Sequence, residues 1–346
     1  MSAKETTSPT APKKHRLSSK SFQLDLPLGI WADAFEYLPS YEVGSLMHQC
    51  LKFCRAGRYR LKSPLHVPGD APSLAVALAQ VYALRHNSSI HFGCPVHIKR
   101  ILLGPGDHTL PAEVTVQQHN NNNHKLKIEL NDIEICGTLV TSEPPTTESL
   151  AASHQLQDML LKSRTHNVYD LLTGERSSLL RTRIRGQLIV SGAKRVVLKH
   201  LDIVCPDESG VIGTLSSELT ITGCHIHHCG CSAIISRCKA KIQVDHCVLS
   251  NNLDDAITVA HRDTKDSVTA SHCVSNYDGV WCRKGGYATL KNSVIFLQKA
   301  IGLRAEDDGS VITHATCHIF DNAKMNVHVR TGGVINGSHL GCLEDN

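Results

Sequence analysis

The chain has 346 residues, room for two domains at about 150 residues each. Its 36 basic and 32 acidic side chains leave a net charge of +4, too small to imply a specific nucleic-acid partner. Apolar residues make up 41 % and aromatics 4 %, which excludes wholesale disorder and calls for a core of Val, Ile, Leu, Ala and Cys. No apolar run nears the roughly 18 residues of a membrane-spanning helix, and the first twenty residues contain no apolar segment of a secretory signal. The expected compartment is therefore the cytoplasm, the nucleus or both. In that reducing setting the 14 cysteines read as small buried apolar residues rather than as disulfides.

Residues 1–20 are rich in Ser, Thr, Lys and Pro and read as a disordered tail. Residues 21–62 read as a small helical unit. Ile30, Trp31, Ala34, Phe35 and Leu38 fall at helical spacing, and Pro39 ends that stripe. Ser40 is placed to cap a second helix with Val43, Leu46, Met47 and Cys50 on its apolar face. Residues 63–88 read as a linker, Pro64 to Pro72, and then a helix in which Ser73 precedes the Ala- and Leu-rich run LAVALAQVYAL. From residue 89 to 346 the texture changes to short alternating β-branched segments broken by Gly, Asn and Asp. Residues 141–180 interrupt it as an inserted loop, with a helix expected near Leu150 to Leu161.

A repeat governs this last part. HLDIV, GCHIH, HCVLS, HCVSN, NSVIF and TCHIF align with Leu201, Cys224, Cys247, Cys273, Ser293 and Cys317 in one column. Val211, Ile234, Ile257, Val280, Ile301 and Val327 form a second column, preceded by Gly210, Ala233, Ala256, Gly279, Ala300 and Asn326. Short strands at a period of about 20–26 residues, with no crossover helix between them, stack as a coil. The cysteines are then expected to face inward as a ladder with Ile226, Leu249 and Ile319. Asn251, Asn276 and Asn322 are expected to form an amide ladder just past the first strand.

The region 89–346 resembles a right-handed parallel β-helix, single-stranded and mainly β. ILLGPGDHTLP (101–111) resembles the opening coil of such domains, and the handedness comes from the resemblance. The segment 21–62 resembles an F-box, through Leu26-Pro27, Ala34-Phe35, Leu38, Val43, Leu46, Cys50 and Phe53. It departs from that pattern at Ala34, Gly44 and Phe53. An F-box joined to a parallel β-helix is the architecture of the β-helical F-box-only family. The resemblance implies a substrate-recognition subunit of an SCF-type ubiquitin ligase, with Leu26, Pro27, Trp31, Phe35, Leu38 and Leu46 binding the adaptor of the adaptor–cullin complex. A helical cap on the end of the solenoid is the simpler structural reading of the same stripe.

The chemistry expected from the repeats is recognition rather than catalysis. Asp254-Asp255 is a carboxylate pair, but on an extended segment neighbours point to opposite faces, and no pectin-hydrolase motif follows. The run CHIHHCGC (224–231) lacks paired zinc spacings, so no metal or other cofactor is expected. Three residues past the second-column anchors stand Thr214, Arg237, Ala260, Arg283, Arg304 and Arg330. The alternation places them outside, with Trp281 and His328 on the same face. Arg237, Trp281, Arg283, Arg304, His328 and Arg330 are thus the candidate binding residues for an acidic or phosphorylated protein segment. A β-helical scaffold without a ligase link, and a carbohydrate-active hydrolase or lyase, are the alternatives.

Overall fold

The computed structural model describes residues 64–91, 99–111, 124–138 and 182–337. The tail, the F-box-like segment and the 141–180 insertion lie outside the described residues. Among those described are one helix and twenty-six short strands. The strands form three parallel sheets, one of ten strands and two of eight, and from Arg100–Leu103 onward every third strand in the chain is a neighbour in the same sheet. Each coil passes from the ten-stranded first wall to the second wall and then to the third. The result is a parallel β-helix of about 7 turns.

The walls follow from alternation. In Glu218–Thr222, Leu219 and Ile221 point inward while Glu218, Thr220 and Thr222 point out. In the next coil Ile242 and Val244 stack on that inward pair. The lumen is a set of such ladders, among them Ile203, Ile226, Leu249, Cys273, Ile295 and Ile319, all fully buried. Each fully buried aliphatic side chain contributes about 1.5–3 kcal/mol, and no coil buries its own apolar face without its neighbours.

Between the first and second walls six successive coils turn at one residue of left-handed backbone. His200, Gly223, His246, Ala270, Asn292 and Thr316 hold φ of 53°, 63°, 52°, 47°, 50° and 54°. For a residue with a Cβ this conformation costs roughly 1–2 kcal/mol. Their N–H groups nonetheless continue the ladder: His246 donates to the Thr269 carbonyl and Ala270 to the Lys291 carbonyl. These hydrogen bonds offset the strain and explain why a glycine is needed at so few of the corners.

Strand pairing corrects three expected columns. Val248 pairs with His272, so Ser271 and not Cys273 follows Cys247 in its column. The serine fits because its hydroxyl accepts from the Cys247 N–H at 3.1 Å and donates to the Thr269 carbonyl at 2.8 Å. Cys273 stacks on Leu249 instead. The amide ladder runs through Asn252, Asn276, Gln298 and Asn322, whereas Asn251 is a left-handed corner with φ 55°. Val280 pairs with Leu303 and not with Ile301, which puts Gly302 rather than Ala300 in the small-residue column. There a Cβ on Gly279 would stand 2.4 Å from the Gly302 carbonyl oxygen, so this corner has no space for a side chain.

The coil also begins earlier than residue 89. Leu65–Val67, within the expected linker, pairs with Arg100–Leu103 as the terminal strand of the first wall. Helix α1, Leu74–His91, follows it, and the Ser73 hydroxyl accepts from the Val76 N–H at 3.3 Å as a cap. Its Leu74, Ala77, Leu78 and Val81 join the same apolar cluster as Leu65, Val67 and Ile101.

Candidate functional site

The third wall carries the candidate binding residues. Its strands Ile234–Arg237, Ile257–Ala260, Val280–Arg283, Ile301–Glu306 and Met325–Arg330 stack in that order. Two outward columns result. One runs Ile235, Thr258, Trp281, Arg304, His328. The other pairs Arg237 with Ala260 and Ala260 with Arg283, and further along Glu306 with Arg330.

Arg304 therefore leaves the arginine column expected for it and joins the column of Trp281 and His328. Ile301 and Leu303 are both apolar and both point inward, so spacing alone cannot choose between them as anchor. The consequence is a stack rather than a stripe. Two guanidinium groups lie over the Trp281 ring, Arg283 at 4.3 Å and Arg304 at 4.6 Å from its centroid. Such contacts are worth about 0.5–2 kcal/mol each, most where water is excluded. The ring holds both cations at fixed positions.

Acidic groups divide the charge. Arg304 Nη1 donates to Asp278 Oδ2 at 3.1 Å and Nη2 to Glu306 Oε1 at 2.7 Å. Arg330 stands 4.0 Å from Glu306. Arg237 and Arg283 make no ion pair among the described residues. The Nε groups of Arg283 and Arg304 and the Trp281 Nε1 are buried donors with no hydrogen-bond partner among the described residues.

Asp254 and Asp255 adjoin this stack. Their carboxylates do not diverge as an extended segment would require, because both residues lie in the turn before the strand. The Ser232 hydroxyl is 3.4 Å from Asp254 Oδ2 and 3.0 Å from the Thr258 hydroxyl, which donates to Asp255 Oδ2 at 2.6 Å. Burial, and then the charge of Asp254, push Asp255 well above the usual carboxylate range, against the hydrogen bond from Thr258. Burial also raises Asp278, opposed by Arg304 and by the Ile301 N–H. The wall thus presents fixed cations beside an acid that favours its neutral form.

On the second wall the histidines of CHIHHCGC divide by parity. Cys224 and Ile226 face the lumen, while His225 and His227 face outward beside Asp202 of the preceding coil. Sequence spacing around the histidines could not reveal Asp202, which reaches them only through coil stacking. Thiol chemistry has no support here: burial pushes Cys205 up to about 11 and Cys229 and Cys273 up to about 12, so these sulfurs stay protonated and weakly reactive.

Residues 209–342 match a family described as a right handed beta helix region. Among curated proteins none matches this chain. Similar solved structures include the pectate lyase Pel9A, at 10 % identity and a TM-score of 0.37 over 68 % of this chain and 69 % of that one. The A-module of the Azotobacter vinelandii mannuronan C-5 epimerase AlgE4 is 11 % identical, with a TM-score of 0.35 over 75 % of this chain and 90 % of that one. The catalytic unit of a GH87 alpha-1,3-glucanase from Streptomyces thermodiastaticus strain HF3-3 is 9 % identical, with a TM-score of 0.26 over 81 % and 68 %. Likeness this distant transfers no chemistry to this chain. The family match and the strand pairing together make the described coils a right-handed parallel β-helix.

Proposed function

We propose that this chain is a non-catalytic substrate-recognition subunit of an SCF-type ubiquitin ligase, working in the cytoplasm or nucleus. In this reading Leu26, Pro27, Trp31, Phe35, Leu38 and Leu46 dock on the adaptor. The third wall of the β-helix grips a protein segment bearing carboxylate or phosphate groups. The observation that carries the recognition half is the Arg283–Trp281–Arg304 stack. A guanidinium without an ion pair among the described residues, held on an aromatic face, suits capture of an anion. Arg237 and Arg330 extend the positive field along the wall. Asp278 and Glu306 pair with Arg304, Glu306 stands 4.0 Å from Arg330, and Asp255 favours its uncharged form. The docking half rests on the F-box-like spacing of 21–62. A stiff solenoid suits this role because it fixes the distance between a bound segment and the rest of a ligase.

Two measurements test the reading separately. Adaptor pull-down should retain the full-length chain and lose Leu38→Asp. Proteins co-purifying with a tagged full-length chain should include an acidic or phosphorylated partner, lost on Arg283→Glu with Arg304→Glu. Adaptor binding by neither form ends the ligase assignment, and partner capture indifferent to charge reversal ends the anion assignment.

A second reading, a carbohydrate-active hydrolase or lyase, is favoured by one observation: Asp254 and Asp255 are linked through the contacting hydroxyls of Ser232 and Thr258, one to each carboxylate, with Asp278 one coil away. Paired carboxylates whose environments differ are what acid–base cleavage of a glycosidic bond uses. New reducing ends or unsaturated products from polyuronides, lost in Asp255→Asn, would select this reading over the first.

A further inference from the structure

We propose that Asp202, His225 and His227 on the second wall form a binding site for one divalent transition-metal ion of the zinc class. The site lies on a different sheet from the arginine–tryptophan stack and does not depend on the ligase reading. It is assembled across successive rungs. His225 and His227 stand two apart on one strand, so both rings leave the same face, while Ile226 between them fills the lumen. Asp202 pairs in register with His225 from the coil before.

Three donor atoms converge. Asp202 Oδ1 is 2.6 Å from His227 Nε2 and 3.9 Å from His225 Nδ1, and the three atoms all lie within 4.8 Å of one another. Donor atoms around a tetrahedral zinc, with bonds of about 2.0–2.1 Å, sit about 3.3 Å apart. One of these separations must open and the other close, each by a little over half an ångström; the two rings stack at 4.1 Å between centroids with planes 20° apart, so one ring must also turn out of the stack for both in-plane lone pairs to meet at one ion. Two imidazoles and one carboxylate, with further positions left for water, match the donor set that zinc and ferrous sites use.

The remaining polar atoms of the three residues are already held from outside. His225 Nε2 shares a hydrogen bond of 2.9 Å with the Ser250 hydroxyl of the following coil, which leaves Nδ1 turned toward Asp202. Asp202 Oδ2 accepts from Arg183 Nε of the preceding coil at 2.7 Å, which leaves Oδ1 turned toward the rings. His227 Nδ1 is in contact with His228 Nδ1. Metal at Nε2 requires the hydrogen of His227 to reside on Nδ1, where the neighbouring ring nitrogen accepts it. Outer partners that fix ring orientation and tautomer are the usual support of a histidine metal site. Asp202 and His225 are nearly fully buried, and His227 opens to solvent beside the exposed His228, so an ion has a path in.

A reading of the same residues as a Ser250–His225–Asp202 hydrolytic relay fails on access, because Ser250 is completely buried. The metal reading needs only the outer edge of the rings.

The test is titration of metal-free, full-length protein with Zn²⁺ and Co²⁺, followed by calorimetry, the visible spectrum of bound cobalt and the melting temperature. One equivalent should bind. The cobalt spectrum should show nitrogen and oxygen ligation with no thiolate-to-cobalt charge-transfer band, and zinc should raise the melting temperature. His227→Ala, at the most exposed of the three positions, should lose binding at least tenfold. Ser250→Ala, which keeps all three ligands, should weaken it about 10–100-fold. Folded wild-type protein that takes up no ion overturns the proposal, as does a thiolate band or an unchanged affinity in folded His227→Ala. Because the wild-type spectrum reports the ligand type by itself, the proposal stays testable even where a variant does not fold.

Discussion

Asp266 is the residue whose position most opposes its chemistry. It stands at an inward position of Lys265–Thr269, between Ile242 and Ala288 of the adjacent coils, where every regular neighbour is apolar. The Ser236 hydroxyl donates to Oδ1 at 2.7 Å and the Ile242 N–H at 3.1 Å, while Oδ2 is buried with no partner among the described residues. Burial wins over these two bonds and pushes the carboxyl up to about 7. The folded chain therefore binds this proton more tightly than the unfolded chain does. Its effect on stability is most favourable below the unfolded value near 4, declines as pH rises, and levels off above about 7. The shift from 3.8 to about 7 corresponds to a loss of roughly 4 kcal/mol across that window. Asp266→Asn keeps the shape and the acceptor oxygen for Ser236 without the charge. Denaturant unfolding at pH 5 and pH 8 should show a smaller difference for Asp266→Asn than for wild type, with the variant the more stable at pH 8. Equal pH dependence in the two proteins would mean that Asp266 ionises without penalty.

At the scale of the element, the amide ladder is the polar counterpart of the aliphatic columns. Asn276 is fully buried. Its Oδ1 accepts from Asn252 Nδ2 at 2.7 Å, and its Nδ2 donates to the Leu249 carbonyl at 3.0 Å and to Gln298 Oε1 at 3.2 Å. One side chain therefore satisfies groups on both adjacent coils at a corner where the sheet ladder is interrupted. Each buried group left without a partner costs about 1–3 kcal/mol, so Asn276→Leu should destabilise the chain by about 2–5 kcal/mol. Asn251→Gly, at a left-handed corner outside the ladder, should change stability by less than about 0.5 kcal/mol. Thermal or denaturant unfolding of the pair measures the contrast, and similar losses in both would remove the ladder's role. The sequence already contained the period, the inward aliphatics and the outward arginines, because alternation and spacing are written in residue types. Register within one coil was not legible. Successive ladder residues lie 24, 22 and 24 positions apart, so Asn251 and Asn252, Cys273 and Ser271, or Ile301 and Leu303 compete on equal terms until hydrogen bonds choose. The same limit hid the stack at Trp281 and the meeting of Asp202 with the histidines, since both depend on which coil lies beside which.

For the whole molecule, the weak points of a solenoid are its ends, where a strand edge and a slice of lumen face water. At the N-terminal end the first wall finishes on Leu65–Val67, and helix α1 lays Leu74, Leu78 and Val81 on the apolar cluster formed with Ile101 and Leu103. The helix earns its place by burial rather than by its intrinsic propensity, since it has no acidic residue in its first turn to complement the dipole. Changing Leu74, Leu78 and Val81 together to Ser removes that burial, at about 2–3 kcal/mol per side chain, and bares the edge of the first strand. Because each coil is stabilised by its neighbours, the loss should begin at this end and fade along the axis rather than unfold all coils at once. Hydrogen exchange should show protection falling first in Leu65–Val67 and Arg100–Leu103, while Lys241–Asp245 and Lys265–Thr269 keep theirs. Size-exclusion chromatography should show the triple variant shifting to larger species as concentration rises, through edge-to-edge pairing. A monomeric variant with uniform exchange across all coils would show that the end needs no cover and that the solenoid folds as one indivisible unit.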